Sequence, residues 1–431
     1  MTLALVAMAV VIIFCYLVGA PLGYGLIAGG CAFLILSGTS LTEASQAIVG
    51  GITANYVVLA VPLFIFTSTL LNSSGMTDRI FRFAQLLLGE SRGALAQVNV
   101  LATLVFSGMT GSAVADVSGV GVMSVRAMEG AGYPKGFACA TTTTSAIMGP
   151  LLPPSIPLVI YGFLSETSVG ALFVAGIIPA IVLAIAHMVL IGVIARVRHF
   201  PKERWLGLFP VAVAFISGMP AIVAPLILIV GIYSGVFTPS ESSAMSVLYA
   251  LVVSVLVYRS LSWRSFVRCL GVAVRQTGSV TALIAGAFII DYAVTASELP
   301  TTVTQFVLSI THQKLLLLLL VAVLLLVAGL ILEVIVLEFV MLPIIVPIMH
   351  AAGVNMVYFG VIFTLVTMIA LGMPTLGMLN FILSKLTNTP LGEVVREMWP
   401  FLGLLVAGLL LVIFVPEMSL WLPAALHIGG G

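Results

Sequence analysis

Charge is scarce in this sequence. Only 7% of its 431 residues are Asp, Glu, Lys or Arg, against about 25% in soluble domains, so water cannot be the solvent around most of its surface. The 16 basic and 15 acidic residues nearly cancel, which excludes the strongly basic surface that nucleic acid would require. Cysteine is scarce as well. Cys15, Cys31, Cys139 and Cys269 are scattered with no CxxC or Cys/His spacing, so they read as small buried hydrophobes rather than zinc ligands or disulfides. His187, His199, His312, His350 and His427 form no cluster. HExxH and Gly-x-Gly-Asp are both missing, and Gly-x-Ser-x-Gly occurs only at Gly89–Gly93, in the polar stretch beside Arg92, so the sequence offers no sign of a metalloprotease or presenilin-like intramembrane protease.

What the chain has in abundance is apolar sequence, at 61% of residues and a mean hydropathy of +1.28. Long apolar runs recur at Thr2–Leu36, Tyr56–Leu71, Val169–Ile194, Pro220–Phe237, Ser242–Val257, Leu315–Leu332 and Phe401–Val415. A spanning helix needs about 20 such residues, which predicts on the order of ten spans and an all-α polytopic membrane protein. Residues 1–431 are expected to form one membrane domain. The first basic residue is Arg79, so the apolar N-terminal stretch reads as a retained helix rather than a cleavable signal.

Basic residues gather in three places: Arg79, Arg82 and Arg92; Arg196, Arg198, Lys202 and Arg204; Arg259, Arg264, Arg268 and Arg275. The positive-inside rule puts these loops in the cytoplasm. Two apolar spans separate the second cluster from the third, an even number of crossings, so the assignment is self-consistent.

At a constant offset of 221, Gly108 meets Gly329, Met128 meets Met349, Ala131 meets Ala352, Gly132 meets Gly353, Pro153 meets Pro374 and Pro179 meets Pro400. Backbone-special residues holding register over so long a stretch point to an internal repeat. The first half meets its basic cluster just after its first span, whereas the second half leaves one, so the copies are expected to be inverted. The predicted organisation is a first repeat at 52–205, connecting spans at 206–275 and a second repeat at 276–425. Inverted repeats are the architecture of secondary transporters, which bind cargo near the midplane where helices break.

Two pairs of segments carry such breaks. Ser107-Gly-Met-Thr-Gly-Ser-Ala-Val-Ala-Asp116 is registered with Ala328-Gly-Leu-Ile-Leu-Glu333, and Gly149-Pro-Leu-Leu-Pro-Pro-Ser155 with Ala370-Leu-Gly-Met-Pro-Thr375. Unwound backbone in a membrane must be buried in protein or line a cavity. Its freed carbonyls and neighbouring hydroxyls are hard donors suited to a small cation, while half-helix N-termini attract an anion. Acidic residues in such sequence are costly and mark function: Asp116, Glu166, Glu241, Asp291, Glu333 and Glu338 are candidates. Asp116 stands out because it closes the hydroxyl-rich break. Thr141–Ser145, five hydroxyls in a row, either ligate or bond back to the preceding helical turn.

The first-half motifs, together with Gly149–Pro157, Gly231-Ile-Tyr-Ser-Gly-Val-Phe-Thr-Pro-Ser-Glu241 and the terminal Leu420-Trp-Leu-Pro423, resemble the large permease subunit of tripartite ATP-independent periplasmic (TRAP) transporters over essentially the whole chain. The resemblance implies an elevator-type transporter with two re-entrant hairpins in a bacterial inner membrane. It also implies sodium as coupling ion with no organic cofactor, and a small organic acid as cargo. The partners would be a small four-helix membrane subunit and an extracytoplasmic substrate-binding protein. By the same resemblance, one sodium site falls on Ser107, Thr110, Gly149, Leu152 and Pro154, and a second on Gly329, Ala370, Met373 and Leu376. Asp116, Arg126 and Ser155 are the candidate substrate contacts.

Four positions depart from the family pattern: Glu333 for Asp, Ala370 for Gly, Met373-Pro-Thr375 for a Thr-Pro-Pro run, and Arg126 for proline. In the second half Ala328, Ile331, Ala370 and Met373 offer no side-chain oxygen, so the second sodium site is expected to be the weaker, unless Thr375 or Glu333 compensates. The competing readings are a secondary transporter using another ion and no binding protein, a channel, an ATP-driven permease and a structural scaffold. Inverted halves with midplane breaks suit alternating access better than a channel, and a scaffold would not keep so many costly polar residues.

The inverted topology places the C-terminus outside the cytoplasm. A C-terminal alkaline phosphatase fusion should therefore be active and a C-terminal GFP fusion dark; the opposite pair of results would refute the inversion.

Overall fold

The computed structural model describes residues 1–54, 59–87, 92–201, 208–311, 313–374 and 376–428. Tyr56, Lys202, Arg204, His312 and Thr375 lie outside the described residues. Every regular element among those described is a helix. The predicted N-terminal run folds as two helices, α1 (Thr2–Leu17) and α2 (Leu22–Ser37), packed on each other. Gly19, at φ +79°, and Pro21 turn the chain between them, as residues suited to a left-handed turn and a fixed φ do. Helices α3 (Leu41–Ala54), α4 (Ala60–Ser73) and α5 (Met76–Leu87) follow.

The two halves then run in parallel order. The first contains α6 (Ala94–Thr110), α7 (Ala113–Asp116), a π-helical turn at Val117–Gly121, α8 (Val122–Gly130), α9 (Lys135–Met148), α10 (Ile156–Leu164) and α11 (Val169–Val197). Helices α12 (Leu208–Tyr233), α13 (Pro239–Val252), α14 (Trp263–Ala296) and α15 (Leu299–Ile310) follow. The second half contains α16 (Lys314–Gly329), α17 (Val334–Ala351), α18 (Met356–Leu371), α19 (Met378–Thr387) and α20 (Leu391–Phe414), with α21 (Glu417–Ala425) closing the described chain.

The register of 221 extends to backbone detail. Helices α7 and α17 begin at Ala113 and Val334, and α9 and α18 at Lys135 and Met356. Ser112 and Glu333 cap α7 and α17 with their side chains. Helices α8 and α17 end alike: Gly132 and Gly353 take φ +88° and +65°. The next amides, of Tyr133 and Val354, donate back to the carbonyls of Met128 and Met349 at 3.0 Å each. That closure satisfies carbonyls otherwise orphaned at a helix end.

Five described helices are long and apolar enough to cross a bilayer, or up to seven if each bent pair counts as one span. This is fewer than the ten or so spans that the apolar runs predict. Much of the apolar sequence lies in shorter pieces such as α1, α2, α6 and α16. A 16-residue helix is about 24 Å long, less than the roughly 30 Å hydrocarbon core. In the first half the interruption falls between α9 and α10, which bend by 41° at the break.

Arg198, just after α11, donates from Nη1 to Glu397 in α20 at 2.7 and 2.8 Å. The C-terminal end of α11 thus lies beside the beginning of α20. The opposite end of the bundle holds a recess of about 600 Å³ lined by Glu166, Tyr233 and Ile428 among others. Glu166 and Glu241 prove to be exposed residues at helix ends. Glu241 completes a capping box with Thr238 at the start of α13, because a carboxylate at that position serves the free amides of the first turn.

One close approach fixes α11 against the first break. A Cβ added at Gly176 would lie 2.1 Å from the Leu151 carbonyl oxygen. Gly176→Ala should lower the melting temperature in detergent by several degrees, since overpacking costs about 1–3 kcal/mol. Gly392→Ala, which would meet nothing within 4 Å, should not lower it.

Candidate cation and substrate site

The two breaks of the first half face each other. Helix α6 ends at Thr110 and the chain reverses at Gly111, at φ +62°. A Cβ there would lie 2.7 Å from the Pro154 carbonyl oxygen, so the position needs glycine both for its backbone angle and for space. The opposing break starts as a 3-10 turn at Gly149–Leu151 and stays unwound until Ser155 caps α10. Its three prolines, Pro150, Pro153 and Pro154, have no amide to donate. The Ile156 amide donates across to the Gly111 carbonyl at 3.2 Å. Each interruption thereby supplies part of what the other lost.

A small polar focus sits at this meeting point. Asp116, on α7, is fully buried, and its Oδ1 accepts from Thr110 Oγ1 at 2.5 Å. Among the described residues, Asp116 Oδ2 and the buried Ser107 Oγ have no partner other than each other. Both lie against Gly149: a Cβ built there would be 2.2 Å from Ser107 Oγ and 2.8 Å from Asp116 Oδ2. The Gly149 carbonyl accepts one hydrogen bond, from the Leu152 amide at 2.8 Å, which leaves its second lone pair. Two orphaned hard oxygens, one of them on a carboxylate, beside freed carbonyls are a donor set that fits a small hard cation.

Asp116, expected among the substrate contacts, therefore sits with the ion-site residues Ser107, Thr110 and Gly149. Ser155 is buried, and its Oγ accepts from the Leu158 amide at 3.2 Å, which makes it a helix cap. Arg126 is exposed on α8, ten residues beyond Asp116 and so roughly 15 Å along the helical path; the structure does not bring it to the focus. In the hydroxyl run, Thr142, Thr144 and Ser145 donate back to carbonyls three or four residues earlier, while Thr141 and Thr143 keep buried hydroxyls without partners. Thr142 also accepts from Asn99 at 2.9 Å, tying α9 to α6.

The second half repeats the layout with different chemistry. A Cβ at Gly329 would lie 2.6 Å from Ala370 Cβ, so the registered breaks again touch. The Met373 carbonyl is already occupied: the Gly377 amide donates to it at 2.8 Å and Asn380 Nδ2 at 3.0 Å. Asn380 Nδ2 also reaches the Gly372 carbonyl at 3.0 Å. Leu376 is 55% exposed. Asn380 Nδ2 thus holds two freed carbonyls of the second half, while its own buried Oδ1 has no partner among the described residues. Asn380 escaped the sequence reading, although a lone asparagine in an apolar helix was a visible signal.

A family model described as "Tripartite ATP-independent periplasmic transporter, DctM component" matches residues 9–418. The sialic acid TRAP transporter large permease protein SiaM of Vibrio cholerae serotype O1 is 40% identical over 418 residues, 96% of each chain. The C4-dicarboxylate TRAP transporter large permease protein DctM of Pseudomonas aeruginosa is 31% identical over 369 residues, 86% of each. The crystal structure of the Alcanivorax borkumensis YdaH transporter matches with a TM-score of 0.64 at 16% identity, covering 88% of this chain and 89% of the other. That likeness concerns the fold.

The focus yields a binding test on purified protein. Sodium, compared with choline at equal ionic strength, should raise the melting temperature of the wild type, because a ligand that binds the folded state stabilises it. Ser107→Ala and Asp116→Asn should weaken the apparent sodium affinity roughly tenfold or more. Gly149→Ala, which fills the space between them, should abolish the shift. Unchanged sodium titrations in all three variants would place the ion elsewhere.

Proposed function

The chain belongs to the DctM component family of tripartite ATP-independent periplasmic transporters, and on that premise we propose that it is the large membrane subunit of a sodium-coupled importer of carboxylates in a bacterial inner membrane. The observation that carries this reading is the buried pair of oxygens, Ser107 Oγ and Asp116 Oδ2, facing Gly149 with no partner elsewhere among the described residues. Ser107, Thr110 and Asp116 would hold sodium with the carbonyls around Gly149, Leu152 and Pro154, and the ion would supply positive charge to an otherwise anionic, desolvated pocket. Asp116 keeps its orientation through Thr110, and Gly149 excludes any side chain from the space.

The cargo follows from relatives and chemistry together. The Vibrio relative is named for sialic acid and the Pseudomonas relative for C4-dicarboxylates; both are carboxylates, so a carboxylate is the proposed class here. The proposed partners are a small membrane subunit, an extracytoplasmic binding protein that delivers the cargo, and the surrounding lipid. The C-terminus is assigned to the extracytoplasmic side, in keeping with the Arg198–Glu397 pair that sets α20 against α11.

The proposed motion is of the elevator type. One apolar cluster contains buried residues of α9, α10 and α11 together with those of α17, α18 and α20, so the broken helices of both halves share a core, which also takes in residues of α4, α12 and α14. The broken helices are the proposed moving body, and α1–α5 with α12–α14 the proposed scaffold.

Proteoliposomes holding this chain with its small subunit should accumulate N-acetylneuraminate or succinate only when an inward sodium gradient and the cognate binding protein are both supplied. Equal uptake driven by a proton gradient in sodium-free buffer, or without binding protein, would overturn the coupling.

A further inference from the structure

Helix α17 carries a second buried acid that the ion focus does not use. Glu338 is fully buried, and among the described residues neither of its carboxylate oxygens has a hydrogen-bond partner. It is the fifth residue of α17, directly after the break at residues 330–333. In the internal register Asp116 corresponds to Leu337, so the second hairpin also carries an acid, displaced by one residue. One residue turns a side chain by about 100°, away from the Gly329–Ala370 contact, where Leu337 packs.

The elements packed on α17 are α10, α14, α15, α16 and α18, and their ionisable groups can be taken in turn. Helix α15 has no charged residue and contributes Thr304, whose buried hydroxyl is unpartnered. Helices α10 and α18 offer Tyr161 and Tyr358, whose hydroxyls donate to the carbonyls of Met356 and Ile413. Helix α16 offers Lys314 at its far end, where it donates to the Gly353 carbonyl, about 20 Å along the axis from the break. Helix α14 bears Arg264, Arg268, Cys269 and Arg275 in its first half, and Tyr292 and an exposed Asp291 near its end. Within α17 itself, Glu333 caps the helix by accepting from the Ile335 amide at 3.1 Å, and His350 is exposed in the last turn. Among the described residues no cation pairs with Glu338, and the nearest charge along its own helix is a second carboxylate, about 7.5 Å away along the axis. A bare carboxylate in such surroundings is far costlier than a neutral acid.

We propose that Glu338 is a proton-carrying site: it holds a proton in this conformation and releases it when the break at 330–333 opens to water, so that the second half exchanges a proton during transport. On opening, the carboxyl O–H bond breaks and the proton passes to water. The carboxylate left behind lies near the N-terminal end of α17, where the helix dipole favours negative charge. The second half would thus carry charge as a proton.

Infrared difference spectroscopy on the purified chain in lipid nanodiscs at neutral pH tests the protonation directly. The carbonyl stretch of a protonated carboxylic acid, slow to shift in D₂O, should be lost in Glu338→Gln and kept in Glu333→Gln. Should Glu338→Gln fail to fold, Glu338→Asp should move the band instead. A spectrum without that band, or a band that every Glu338 variant leaves in place, overturns the proposal. The coupling rests on the transporter reading and has its own test. Proteoliposomes of the complete system, loaded with a pH-sensitive dye, should show a proton movement on N-acetylneuraminate or succinate uptake, and Glu338→Gln should remove it. Uptake with no proton movement in the wild type refutes the coupling, whereas absence of uptake altogether refutes the transport reading and leaves the infrared result to decide on the proton.

Discussion

The backbone of this protein must satisfy itself, because lipid offers no hydrogen bonds. Every interruption of a helix in the membrane frees amides and carbonyls that need partners inside the protein. The fold solves this by bringing interruptions together. Gly111 and Ile156 bond across the first pair of breaks, while Gly372 and Met373 are held by Asn380 in the second. Packing of α11 on the Leu151 carbonyl, through the bare backbone of Gly176, closes the first arrangement from the side.

The same constraint creates function. Where breaks meet without a side-chain clamp, polar atoms remain unspent, and Ser107 Oγ and Asp116 Oδ2 are such atoms. Where Asn380 clamps the second pair, the carbonyls of Gly372 and Met373 gain donors, while its own buried Oδ1 stays without a partner among the described residues. Two halves with a shared backbone plan therefore carry different chemistry, and their difference lies in a few side chains. The internal repeat sets the positions of the breaks, and local substitutions decide what each can hold.

Much of this was legible beforehand. Apolar composition and scarce charge gave the membrane class, since the bilayer selects for both. Glycine and proline revealed the repeat because their backbone roles, such as left-handed Gly132 and Gly353, admit few replacements. Hydroxyls and an acid around Gly111 marked the first break as chemical. Less legible were the division of the N-terminal run into two helices and the shortness of many apolar segments, because apolarity alone does not say where a helix stops.

What the sequence by itself determined, then, is the class, the family pattern, the register of 221 and the places where helices break, because each depends on composition or on local backbone preference. Tertiary structure alone decided which breaks touch and which polar atoms stay free. It set Asp116 beside Ser107 and Gly149, left Arg126 on the exposed side of α8, turned Ser155 into a helix cap and buried Glu338 without a partner among the described residues. Those outcomes depend on contacts between residues far apart in the chain, and the partner of a polar atom is settled only when the packing is complete.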